Sequence, residues 1–218
     1  NRVEIRFDPK YIIDKIAQGA AHQGIIAFVA AKSYSTLDNV LDIAKKRGEK
    51  PFVILLDGIE DPRNLGALIR VAEAGGVHGI ILPERHSVGL TGTVAKTSAG
   101  ALDYMHIVKV KNLKQAMEDL KKEGLWVVGT DNRAENSLYG MDLDIPLALV
   151  IGSEGKGLRK GTIENCDFLL SIPMLGRTTS LNVSVAAGII IYEVIRQKGK
   201  ITKNQTVSDR SLQVFKTN

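Results

Sequence analysis

The sequence predicts an α/β fold in which a mostly parallel sheet carries helices on both faces. Two observations predict it. Short continuous apolar runs, Phe52–Leu56 and Leu147–Ile151 among them, recur from residue 50 onward. A strand that is apolar on both faces is covered on both faces. Between these runs lie amphipathic stretches of helical period, so strand and helix alternate as parallel crossovers require.

Residues 1–35 read as the end of something larger. Val3-Glu4-Ile5-Arg6-Phe7 alternates like a strand, and Tyr11 to Ala17 reads as a short helix after Asp8-Pro9. His22-Gln23-Gly24 leads to an apolar stretch over 25–31. That is too little to bury a core, so the segment reads as a remnant or linker. Thr36 to Arg47 is amphipathic, with Leu37, Val40, Leu41 and Ala44 on one face and Gly48 as its stop. Phe52–Leu56 is a strand. Pro62 to Ala74 is a helix with proline in its first turn and Gly75-Gly76 after it. Gly79–Leu82 is a strand, Thr91 to Ala101 a helix, and His106–Val110 a strand. Leu113 to Glu123 is a helix that Gly124 stops. Leu125–Gly129 and Leu147–Ile151 are strands, Gly161 to Asn165 is a short helix at best, and Phe168–Ile172 is the last strand.

The stretch from Ser171 to Gln197 closes the domain. A polar turn, Gly176-Arg177-Thr178-Thr179, leads to Ser180-Leu181-Asn182, where Ser180 or Asn182 can cap a helix. From Val183 nearly every position is apolar or small, and polar residues return only at Glu193, Arg196 and Gln197. A helix apolar on nearly all sides is buried on nearly all sides, by the fold or by a second copy of the chain.

Composition narrows the class. With 44% hydrophobic and 24% charged residues, the 218-residue chain is ordinary for a globular protein, and no apolar run reaches membrane-spanning length. The start lacks the apolar core of a signal peptide. The lone Cys166 excludes an internal disulfide and fits a reducing cytosol. The net charge is +5, of which +4 lies in 198–218, where Lys198, Lys200, Lys203, Arg210 and Lys216 face Asp209. The body is therefore +1, and general basicity is no argument for nucleic acid. The tail reads as a flexible extension.

Three polar, glycine-containing loops follow apolar strands: Asp57 to Gly66, Gly152 to Gly157, and Pro173 to Asn182. In open α/β sheets ligands bind at the carboxyl ends of strands. The loops match no standard nucleotide signature. Lys156-Gly157 stands where a phosphate loop needs Gly-Lys-Ser/Thr, and no G-x-G-x-x-G follows the first strand. His22, His78, His86 and His106 lack metal-ligand spacing, and no G-x-S-x-G is present. Each loop alone is more readily a plain turn than a site. If Asn64 is helical, Arg70 lies six residues on, about 600° or roughly 240° around, so the two do not meet by helix geometry alone.

Taken together, the loops resemble a known family. Asn64-Leu65-Gly66-Ala67-Leu68-Ile69-Arg70, then Ile151-Gly152-Ser153-Glu154-Gly155-Lys156-Gly157-Leu158, then Ile172-Pro173-Met174 with Ser180-Leu181-Asn182-Val183-Ser184-Val185-Ala186 resemble the three motifs of the SpoU/TrmH methyltransferases. These are S-adenosylmethionine-dependent RNA 2′-O-ribose methyltransferases. The likeness covers about residues 50–197. Residues 1–35 resemble the end of a small ribosomal-protein-like substrate-binding domain and its linker, in the branch that modifies a guanosine of large-subunit ribosomal RNA.

The resemblance implies a deep trefoil knot near the carboxyl end of the domain 36–197, a cytoplasmic homodimer with its site completed across the interface, and no metal. It implies cofactor contacts at Thr130, Gly152, Ile172 and Leu181, and a catalytic set of Asn64, Arg70, Glu154, Ser180 and Asn182. Arg70, Lys156, Arg159, Lys160 and Arg177 become candidates for RNA phosphates, although Arg177 departs from the small or aliphatic residue of many relatives. The alternatives are a transfer RNA methyltransferase, or a knotted RNA-binding or assembly factor without catalysis. A third is a nucleotide-binding protein using the Gly152 loop, against which the missing phosphate-loop lysine argues.

Overall fold

The computed structural model describes residues 4–19, 22–28, 30 and 32–199. The chain divides into two compact units between residues 31 and 32. In the first, α1 (Lys10–Ala17) forms where expected but buries none of its residues. The alternation Val3–Phe7 makes no strand over its described part, 4–7. A strand needs a neighbour to pair its backbone, and alternation alone supplies none. Of the tail, only Lys198 and Gly199 fall within the described residues.

The second unit holds α2 (Leu37–Lys46), β1 (Phe52–Asp57), α3 (Pro62–Ala74), β2 (Gly79–Pro83), α4 (Gly92–Thr97), α5 (Ala101–Tyr104), β3 (Ile107–Val110), α6 (Leu113–Lys122), β4 (Trp126–Thr130), β5 (Leu147–Gly152), α7 (Lys160–Ile163), β6 (Phe168–Leu170) and α8 (Val183–Gln197). The strands form one sheet in the order β3-β2-β1-β5-β4-β6, and every pairing between them is parallel. Period-two alternation sends Phe52, Ile54 and Leu56 into one core, under α3 and α8, and Val53 and Leu55 into the other, under α2 and α6. Both faces are covered, as the continuous apolar runs require.

Local chemistry sets the boundaries. Thr36, Asp61, Thr91, Asn112 and Asn182 each accept a hydrogen bond from the first turn of the helix that follows. The helix expected over Thr91 to Ala101 is broken in two. Ala99 and Gly100 take left-handed backbone angles between the pieces, and such a pair ends a helix. Gly79 is required by packing, because a Cβ there would meet both methyls of Val40 at 2.7 Å. His78 is buried, accepts from the Phe52 amide at 3.0 Å and hydrogen-bonds Glu49 at 2.9 Å. Burial pulls its pKa down, so it serves as a neutral brace at the start of β1. Cys166 packs against Gly129, and burial pushes its thiol up to about 12.

Glu193, expected to open a polar face on the last helix, is 7% exposed. It lies on the same side as Ile190 and Val194, both buried. Its carboxylate accepts from Arg196 at 2.7 and 2.8 Å and from Gln197 at 2.7 Å. Gln197 also accepts from the Leu143 amide at 2.6 Å and donates to the Met141 carbonyl at 3.0 Å. The acid thus ties the end of α8 to the loop before β5. These hydrogen bonds, the Arg196 one above all, hold the Glu193 carboxyl down at about 2. A folded-state pKa below the ordinary value stabilises the fold fully above about pH 4.5, and that contribution is lost as pH falls through about 2. Thermal melts of the wild-type chain and Glu193→Gln should therefore differ by a constant gap above pH ~5 that closes toward pH ~2. A gap independent of pH would contradict the assignment.

Candidate active site

All strands point the same way, so the loops after β1, β4, β5 and β6 gather at one edge of the sheet. From β1 the chain moves to β2 on one side; β5, the other neighbour of β1, is followed by β6 at the opposite end of the sheet. The crevice between β1 and β5 is thus a topological switch point.

The loop after β5 turns back on itself. Ser153 N donates to Gly157 O at 3.1 Å and Gly157 N to Ser153 O at 2.9 Å. Gly155 and Gly157 supply the positive φ angles, 81° and 67°, that this turn needs. A Cβ on Gly152 would collide with the backbone of Gly157 and Leu158. The glycine therefore lets the loop fold flat across the end of its own strand.

Beside this loop lies a cavity of about 470 Å³. Thr130, Gly152, Ile172 and Leu181, four residues from three segments, all line it, and so do Ser180 and Glu154. Glu154, in its wall, belongs to a closed hydrogen-bonded ring that reaches Asn64 in the lining of the adjoining cavity. Asn64, in the first turn of α3, donates to Glu154 Oε2 at 3.1 Å. Asn182 donates to Asn64 Oδ1 at 2.9 Å and to Glu154 Oε1 at 3.2 Å. The Asn182 oxygen meanwhile caps α8, accepting from the Ser184 amide at 3.0 Å and its hydroxyl at 2.6 Å. One side chain thus both starts a helix and joins the two other loops.

Not every predicted residue joins this ring. Asn64 is helical and half-buried, whereas Arg70 is exposed and lines neither the cavity nor its neighbour. That is the separation the helical period predicts. Lys156 lines both the cavity and an adjoining one of about 530 Å³ across the Glu154 loop. Arg159 lines the second, but its guanidinium pairs with the fully buried Asp57 carboxylate, Nε to Oδ1 2.6 Å, and its own amide donates to Oδ2 at 3.0 Å. Lys160 is exposed and lies 3.9 Å from Glu164. Arg177 stands exposed in the third loop.

Sequence reasoning missed Asp131, Asn132 and Arg133, which line the main cavity. Asn132 donates to the Thr179 carbonyl at 3.3 Å and braces the third loop. A hydrogen bond from Arg133 keeps the Asp131 carboxyl below its usual range, and the two form an ion pair at 3.0 Å in the cavity wall. Their signal was position: they follow β4 directly, at the same edge as the other loops.

Comparison with known proteins decides the family. The family model described as the SpoU rRNA Methylase family matches residues 51–192. The chain belongs to the SpoU/TrmH family of RNA methyltransferases. YacO of Bacillus subtilis (strain 168), named for TrmH family tRNA/rRNA methyltransferases, is 47% identical over 91% of this chain and 80% of its own length. AviRb of Streptomyces viridochromogenes, a SpoU methyltransferase solved with AdoMet, is 31% identical with a TM-score of 0.65, over 69% of this chain and 62% of that one. A solved RNA 2′-O ribose methyltransferase is 27% identical with a TM-score of 0.63, over 78% of this chain and 60% of that one. The chain thus spans less than two thirds of both solved relatives. The family's cofactor is S-adenosylmethionine.

Two substitutions test the geometry. Gly152→Ala overpacks the loop at a cost of about 1–3 kcal/mol. Thermal melts should read this as a lower melting temperature; an unchanged melt would show that the loop does not lie flat against its own strand. Asn182→Ala should cost about 1 kcal/mol of stability through the lost cap, while Asn182→Ser restores most of it. Equal losses in thermal melts would show that the cap is not what Asn182 contributes to the fold.

Proposed function

We propose that the chain transfers a methyl group from S-adenosylmethionine to a ribose 2′-hydroxyl of RNA, with a guanosine of large-subunit ribosomal RNA favoured over transfer RNA. One observation carries the reading. Asn64, Glu154 and Asn182, far apart in sequence, close into a ring that meets, through Glu154, the cavity that Thr130, Gly152, Ile172 and Leu181 line. The ribosomal preference rests on the resemblance of residues 1–35 to the end of a substrate-binding domain.

The cavity fits the cofactor. Ile172 and Leu181 offer apolar faces for an adenine, the Gly152 loop offers backbone groups, and the Glu154 carboxylate suits a cation. Bound S-adenosylmethionine supplies an electrophilic methyl on a sulfonium. The chain's own task is to place a hydroxyl in line with it and to remove a proton. Glu154 and Asn64 orient the acceptor ribose, Asn182 locks both, and Ser180 positions the substrate edge of the third loop. Arg70 clamps a phosphate rather than acting as base, because a guanidinium holds its proton. Lys156, Arg159, Lys160 and Arg177 meet further phosphates, Arg159 with the part of its charge that Asp57 leaves free.

A second copy of the chain completes the site. Arg70 stands about 240° around α3 from Asn64, so one chain does not bring it to the ring. Val185 and Tyr192 expose apolar surface on α8, the helix packed on α3, which suits a homodimer. The segment between β6 and α8 forms the trefoil knot, and the protein works in the cytoplasm.

The test incubates the chain with labelled S-adenosylmethionine and unmodified ribosomal RNA, then maps ribose methylation. Transfer to a 2′-oxygen is expected. No transfer with cofactor binding intact would overturn the enzyme reading. Arg70→Ala should abolish transfer and leave cofactor affinity within about twofold, a difference under ~0.5 kcal/mol. A large loss of cofactor binding would refute its place on the RNA side.

A further inference from the structure

A third cavity, of about 380 Å³, opens beyond the site on the same edge of the sheet. Arg85 and Lys111 reach it from the loops that follow β2 and β3, and Lys114 from the first turn of α6. Arg159 and His86 form its inner wall, and both also line the cavity across the Glu154 loop. No carboxylate is among its lining residues. Arg159 is shared with Asp57, whereas Arg85, Lys111 and Lys114 are exposed, with no ion pair to a described residue. The stem of Lys114 lies over Gly161, where a Cβ would sit 3.4 Å from Nζ. That lysine is thereby drawn from α6 toward α7.

Like charges are not gathered around a concave surface without cost; they repel until an anion fills it. We propose that this cavity is a phosphate-backbone subsite for the RNA strand flanking the acceptor nucleotide, with Arg85, Lys111 and Lys114 as its clamp. The inference rests on the RNA-methyltransferase reading and adds the direction of the strand. From the Glu154 loop after β5 the track passes Arg159 and His86 and ends over β3. That is three strand spacings, roughly 14 Å. Phosphates there position the strand and carry no base preference.

The experiment measures binding of a labelled single-stranded oligouridylate across a salt series. It compares the wild-type chain, the triple variant Arg85→Gln/Lys111→Gln/Lys114→Gln, and a control that removes the same charge from the end of α2, Lys45→Gln/Lys46→Gln/Arg47→Gln. Loss of three contacts should flatten the slope of log K against log salt by about 2 and weaken binding on the order of a hundredfold at low salt. S-adenosylmethionine affinity should stay at the wild-type level, which also reports a folded domain. The control should keep the wild-type slope. Should the triple variant not fold, each single exposed substitution is read alone, with a slope change of about 0.7 expected. A wild-type slope in the variants, or an equal loss in the control, overturns the subsite and leaves the methyltransferase reading standing. No oligouridylate binding by the wild-type chain at low salt likewise overturns the subsite, while the methyltransferase reading falls only with the transfer assay on ribosomal RNA.

Discussion

Asn182 sits where three separate parts of the chain meet. Its oxygen caps α8, and its amide nitrogen reaches Asn64 at the start of α3 and Glu154 in the loop after β5. A helix start is an economical place for such a joint. The cap fixes the backbone and the rotamer, so the remaining hydrogens point one way. The two other members are also anchored by local structure: Asn64 by the Asp61-capped first turn of α3, Glu154 by the Ser153–Gly157 turn. The ring therefore needs no long flexible side chain to close.

The crowding around Gly152 is the second constraint. The loop lies so close to its own strand end that only glycine fits. The loop's backbone thus lies flat across the end of β5, and Ser153, Glu154 and Lys156 are among the residues that line the cavity beside it. Asn64, Glu154 and Asn182 close their ring beside this loop.

How much of this was legible in the sequence divides along physical lines. Strand and helix positions were legible because burial writes its period locally. Pro62–Ala74 forms as read, and Phe52–Leu56 gains only Asp57. The separation of Asn64 and Arg70 followed from helical period alone. Glu193 was misread because a buried carboxylate looks like a surface one until Arg196 and Gln197 are seen to satisfy it. The break at Ala99-Gly100 needed backbone angles that composition only hints at. Long-range partnerships were out of reach: Asp57 and Arg159 are 102 positions apart, and Arg85, Lys111 and Lys114 meet only because parallel strands deliver them to one edge. The ring itself was named residue by residue through family resemblance, not through any local pattern.

The central claim is that Asn64, Glu154 and Asn182 act as one hydrogen-bonded unit. A double-mutant cycle with Asn64→Ala, Asn182→Ala and the pair, read in S-adenosylmethionine affinity and in thermal melts, tests it most directly. Residues sharing such a network couple by about 0.5–3 kcal/mol, so the pair should cost measurably less than the two single changes together. Additive losses in both readouts would contradict the account.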